Sequence, residues 1–204
     1  MTLTQPAAIA SRTAGRRPAW RTAAVGAVCG LAWAGALRAV MAELAQPSRV
    51  AWSGTFAGVL IPGAVTGALL AVASARGAED RTEHMRWFTL APLAFVVGIV
   101  VQPGFFASLR GDGLGVGGLA FPALMIIGGF AVGGRGWGWL RAIGGVLAAA
   151  FVVALVVSLP MIAGPALALT EPRGAWVASL AASLTVLAVL AASIPFRHAR
   201  RPGA

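Results

Sequence analysis

Apolar residues in this chain come in long runs, separated by short segments that hold most of the charge and much of the proline. Six runs stand out, at residues 20–41, 54–74, 87–101 with an extension toward 109, 114–134, 139–159 and 175–194. A helix needs about 20 apolar residues to cross a hydrocarbon core of roughly 30 Å. Inside lipid such a run can satisfy its own backbone only by coiling. The pattern predicts an all-α, polytopic transmembrane bundle of six spans over residues 20–194, between basic cytoplasmic tails at 1–19 and 195–204. Trp20, Trp52, Trp87, Trp137, Trp139 and Trp176 fall at the predicted helix ends, where indole rings anchor at headgroup level. Trp33 lies inside the first run and is expected to serve packing.

Composition agrees with this class. Of the 204 residues 58% are hydrophobic and 11% charged, less than half the charged share of about a quarter in soluble domains. All sixteen basic residues are arginine, a bias expected of a GC-rich bacterial genome. The net charge of +10 does not predict a nucleic-acid partner, because the arginines lie between apolar runs and form no patch on a soluble domain. They orient the bundle instead, since cytoplasmic loops retain an excess of basic residues. With the N-terminus inside, the inner face holds twelve arginines against three acids and the outer face four against three. Both termini are therefore expected in the cytoplasm of a bacterial plasma membrane, with anionic lipids gathered by the arginine-rich face. A cleaved signal peptide ending near Ala42 is the competing account of the N-terminus, and Arg38 so close to that point argues against it.

The segment LRAVMAEL poses the functional question, because Arg38 and Glu43 close the first run. Arg38 lies seventeen residues beyond Arg21, about 26 Å at 1.5 Å per residue, just below the outer surface. It can snorkel to the headgroups or turn inward. Gln102 interrupts the third run at the same depth, before Pro103 and Gly104, and Arg110 and Asp112 follow. Arg38, Glu43, Gln102, Arg110 and Asp112 are the candidate ligand-binding residues of an outer vestibule for a small anionic or zwitterionic group. Pro62 and Pro122 lie inside the second and fourth runs and predict kinks. The pairs Gly26 and Gly30, Gly54 and Gly58, Gly63 and Gly67, and Gly129 and Gly133 have the spacing that lets membrane helices approach closely, within one chain or between chains.

Other motifs carry less. Gly113, Gly115 and Gly118 match the G-x-G-x-x-G spacing of a dinucleotide loop but lack the strand before and the acid about twenty residues on. Asp80 with Glu83 resembles a capping box before the third run. Asp80 and His84, four apart, would share a face if this segment were helical, the start of a metal site whose remaining ligands are missing. Cys29, the single cysteine, is expected to be a small buried hydrophobe. No zinc-helix, nucleophile-elbow or paired intramembrane carboxylate pattern occurs, so neither an enzyme, a metal nor a cofactor is expected.

The stretches WAGALRAVMAEL and WSGTFAGVLIPGAV, residues 33–44 and 52–65, resemble small multi-pass membrane proteins of high-GC actinobacteria. The resemblance implies a multi-pass fold and brings no activity with it. Two functions follow from the residues: a small permease or solute- and lipid-handling protein with an outward-facing polar pocket, or a non-catalytic scaffold whose glycine faces bind a second copy or a partner membrane protein. A pocket requires Arg38 and Gln102 to face the bundle interior, whereas a scaffold lets Arg38 snorkel and leaves a glycine face toward lipid.

Overall fold

A computed structural model describes residues 18–45, 50–79, 84–102, 114–134 and 136–198, with backbone alone at 114–118. Every regular element among them is helical. Helix α1 spans Ala19–Leu44 and α2 spans Trp52–Ala78. A four-residue turn of helix, α3 (Met85–Phe88), is followed by α4 (Leu93–Val100). Then come α5 (Leu114–Gly133), α6 (Gly138–Ala163), a short 3-10 turn at Pro165–Leu167, and α7 (Pro172–His198). Four of these, α1, α2, α6 and α7, are long and apolar enough to cross a membrane.

Helix is found in each of the six predicted runs, with three corrections; the extension of the third toward residue 109 lies outside the described residues. The third is not one continuous helix. Around Pro92 the backbone bonds tighten to a three-residue spacing, from Leu90 N–H to the Trp87 carbonyl through Phe95 N–H to that of Pro92. Proline cannot donate, and its ring excludes the carbonyl four residues back, so the chain passes it in tight turns. The second run begins as a π-helix, Trp52–Leu60, and becomes α-helical at Ile61–Ala78 with Pro62 in the first turn. The wide turns end where a regular α-turn would drive the Gly58 carbonyl into the Pro62 ring. The last two helices outrun their predicted ends, α6 through Pro160 and α7 through Pro195 to His198, four residues into the segment expected to be tail. Pro122 lies inside α5 as expected. Asp80 and Glu83 lie outside the described residues, as does Gly113; Leu114–Gly118, the rest of the glycine motif, is helix.

Glycine sets how the helices pair. The faces Gly26–Gly30 and Gly63–Gly67 meet each other, so a methyl group on Gly30 would overlap the Gly63 carbonyl oxygen and lie 3.0 Å from the Gly67 Cα. Gly129 and Gly133 admit the α7 backbone at Ala192 and Ser193, and Gly58 makes room for the Gln102 amide. All four glycine pairs are thus occupied within one chain. These contacts run α1 antiparallel to α2 and α5 parallel to α7. They gather Arg21, Arg76, Arg86, Arg141 and Arg197 at one end of the bundle, where Arg76 lies over the Phe88 ring, Arg141 donates to the Ala131 carbonyl and the His198 ring covers Gly77.

Trp33 joins the halves of the molecule. Its indole N–H donates to the Leu184 carbonyl at 3.0 Å, and its ring stacks on Phe121 and meets Phe95 edge-on. It touches both buried clusters, one formed by Val40, Leu159, Leu167 and the first half of α7, the other by Met125, Ala188 and Ala192.

Candidate functional site

Of the predicted outer residues, the three that are described, Arg38, Glu43 and Gln102, each engage another part of the chain. The Arg38 guanidinium turns inward and donates from Nε to Thr55 Oγ1 at 3.3 Å. Thr55 is buried, and its hydroxyl also accepts from the Ala51 N–H. The Gln102 amide donates to the Ser53 carbonyl at 2.8 Å and to that of Gly98 at 3.4 Å. Arg38 and Gln102 therefore meet on one element, the π-helical start of α2. A π-helix is a rare, wide-turned conformation, and both side chains bond to its first turn. Glu43 is not Arg38's partner. Arg173, at the start of α7, binds it with Nε at 2.9 Å and Nη2 at 2.5 Å. That pair was not predicted because 130 residues separate its members. Arg110 and Asp112 lie outside the described residues.

The space in the bundle lies elsewhere. A cavity of about 430 Å³ opens below Trp33, toward the arginine-rich end. Gly26, Cys29 and Gly30 of α1 form one wall, and Leu187, Ala188, Ala191 and Ile194 of α7 face them. Thr66, Gly67 and Leu70 of α2 close the back, with Phe95 and Met125 beside Trp33 at the closed end. The shape follows from the packing. Glycine holds α1 against α2 along the lower half, while α1 meets α7 through Trp33, Leu37, Val40 and Leu44 in the upper half, leaving a wedge where α1 and α7 part. The outer edge of the wedge is open, since Cys29 is exposed and Leu187 is 55% exposed. Cys29 is thus not the buried hydrophobe expected of it.

The walls offer little to a polar solute. Thr66 spends its hydroxyl on the Ala91 carbonyl at 3.2 Å, near the tightened turn at Pro92, and the Trp33 N–H is held by Leu184. Cys29 and Ser74, at the margins, and the Met125 thioether are the other side chains with a heteroatom. Ligand pockets of a few hundred Å³ with apolar walls and few polar groups suit hydrocarbon. Among the described residues no three His, Cys, Asp or Glu side chains are grouped to hold a metal ion. Sequence reasoning missed the cavity because its walls are ordinary span residues; the available signal was Trp33, the one indole placed away from a helix end. No known protein family, curated protein or solved structure matches this chain.

Proposed function

We propose that this chain is a six-span protein of the bacterial cytoplasmic membrane, with both tails in the cytoplasm, that handles a lipid or another apolar solute in the wedge between α1 and α7. The observation that carries the proposal is the apolar cavity of about 430 Å³, closed above by Trp33 and open at the side. The segment from Met85 to Gln102 and helix α5 supply the fifth and sixth crossings. The orientation is supported by the charge of the two ends: among the described residues, five arginines and one glutamate stand at one, two arginines and two glutamates at the other. Arg38, Glu43 and Gln102 act as outer clamps more than as ligand contacts, since each already has a partner in the chain.

The glycine pairs named for the scaffold alternative have neighbours within the chain, which weighs against it as the first reading. A surface open to such a partner is the outward side of α6, whose apolar window is only 6% buried. Filling the wedge separates the two. Ala191→Phe is expected to abolish retention of bound lipid in native mass spectrometry of the detergent-purified protein, without loss of folded yield. Unchanged retention would refute the cavity as the binding place. Reporter fusions at the two tails should both register in the cytoplasm.

A further inference from the structure

The wedge also specifies its occupant, on the premise that it is a lipid site. We infer that it takes one acyl chain of an anionic phospholipid from the inner leaflet, entering sideways between α1 and α7 with its phosphate held at the arginine-rich end. Depth comes first. Trp33 stands twelve residues from Arg21, about 18 Å along α1, whereas half of a hydrocarbon core of about 30 Å is about 15 Å. Trp33 therefore marks the middle of the bilayer, and the cavity below it spans the inner leaflet alone. Each facing wall, from Gly26 to Trp33 and from Leu187 to Ile194, runs seven residues, about 10 Å, the direction and length of part of an acyl chain.

Charge comes second. Each long wall ends in an exposed arginine: Arg21 lies five residues below Gly26 on α1, Arg76 two residues beyond Ser74 on α2, and Arg197 three residues beyond Ile194 on α7. The Arg21 guanidinium rests over the Trp20 ring, and the Arg197 stem lies on Gly133, which fixes where both charges stand. Positive charge thus gathers at the end of the bundle below an apolar cavity, the complement of an anionic headgroup on a hydrocarbon tail. The contact of His198 with Gly77 closes the lower end between α2 and α7, so the open way in is from the side, past Cys29 and Leu187.

The test uses Trp33 as the reporter. A variant keeping Trp33 alone, its other six tryptophans replaced by Phe, is reconstituted in vesicles doped with phosphatidylglycerol or phosphatidylcholine brominated on the acyl chains. Brominated phosphatidylglycerol should quench Trp33 at lower mole fraction than the phosphatidylcholine, by about fivefold for each arginine engaged. Arg21→Gln with Arg197→Gln should erase that preference and leave the quenching by phosphatidylcholine unchanged. Equal quenching by the two lipids, or a preference that survives both substitutions, would overturn the anionic inference and leave the cavity as a lipid site. No quenching by either would sink both. If the single-tryptophan variant does not fold, the wild-type protein is released from nanodiscs of equal phosphatidylglycerol and phosphatidylcholine and the retained lipid is weighed. Retained phosphatidylglycerol supports the inference, and an even mixture overturns it.

Discussion

Gly30 and Gly35 lie on the same helix, and a methyl group added to each should have opposite consequences. At Gly30 the new carbon would overlap the Gly63 carbonyl oxygen, and rigid backbone on both sides prevents it from yielding. At Gly35 nothing lies within 4 Å. Both substitutions gain the same intrinsic helix propensity, up to about 1 kcal/mol. The difference between the variants therefore isolates the overpacking, which costs about 1–3 kcal/mol in a well-packed interior. For a chain of this length 1 kcal/mol shifts the thermal midpoint by about 2–4 °C. Gly30→Ala is thus expected to melt roughly 2–12 °C below Gly35→Ala in the same detergent, followed by tryptophan emission. Coincident midpoints would refute the glycine contact. A change in particle mass for Gly30→Ala, with the midpoint unmoved, would show that this face joins separate chains.

Two further outcomes follow from the end of the bundle away from the arginine cluster. Gln102→Leu removes a donor from the Ser53 carbonyl, and hydrogen exchange across residues 52–60 should rise while the rest of α2 keeps its protection; uniform exchange along α2 would contradict the bracing role. Glu43→Gln breaks an ion pair whose side chains are 56% and 40% exposed, so stability should fall by no more than about 1 kcal/mol, and a double-mutant cycle with Arg173→Gln that returns a much larger coupling would show the pair to be shielded.

What could be read in advance was whatever depends on transfer into lipid. The indoles at 20, 52, 87, 137, 139 and 176 stand exposed at helix ends, and Trp33 alone is drawn into the packing, because an amphipathic ring obeys the water interface wherever the helix neighbours are. Helix-to-helix register was half legible. The glycine spacings announced close contact, but that Gly26 and Gly30 meet Gly63 and Gly67, and not another chain, is decided by the short link between α1 and α2, which makes them antiparallel neighbours. Pro92 escaped because hydropathy does not register a backbone donor that is missing. The Glu43 partner escaped because it sits on the last helix, and nothing local to either residue encodes the meeting.

The cavity follows from an uneven distribution of small residues. Without a hydrophobic force between helices in lipid, contact area and hydrogen bonds decide which pairs close. On α1 the glycines of the lower half face α2, so α1 leans that way; in the upper half Leu37, Val40 and Leu44 pack on α7, and Trp33 holds the crossing point with one hydrogen bond and two ring contacts. Two helices joined at one end and drawn to different neighbours at the other must leave a gap. Small side chains at Gly30, Ala188 and Ala191 keep that gap from being filled from within. In water such an opening would collapse or aggregate; in a bilayer it costs little, because a lipid chain can complete the packing that the protein leaves undone.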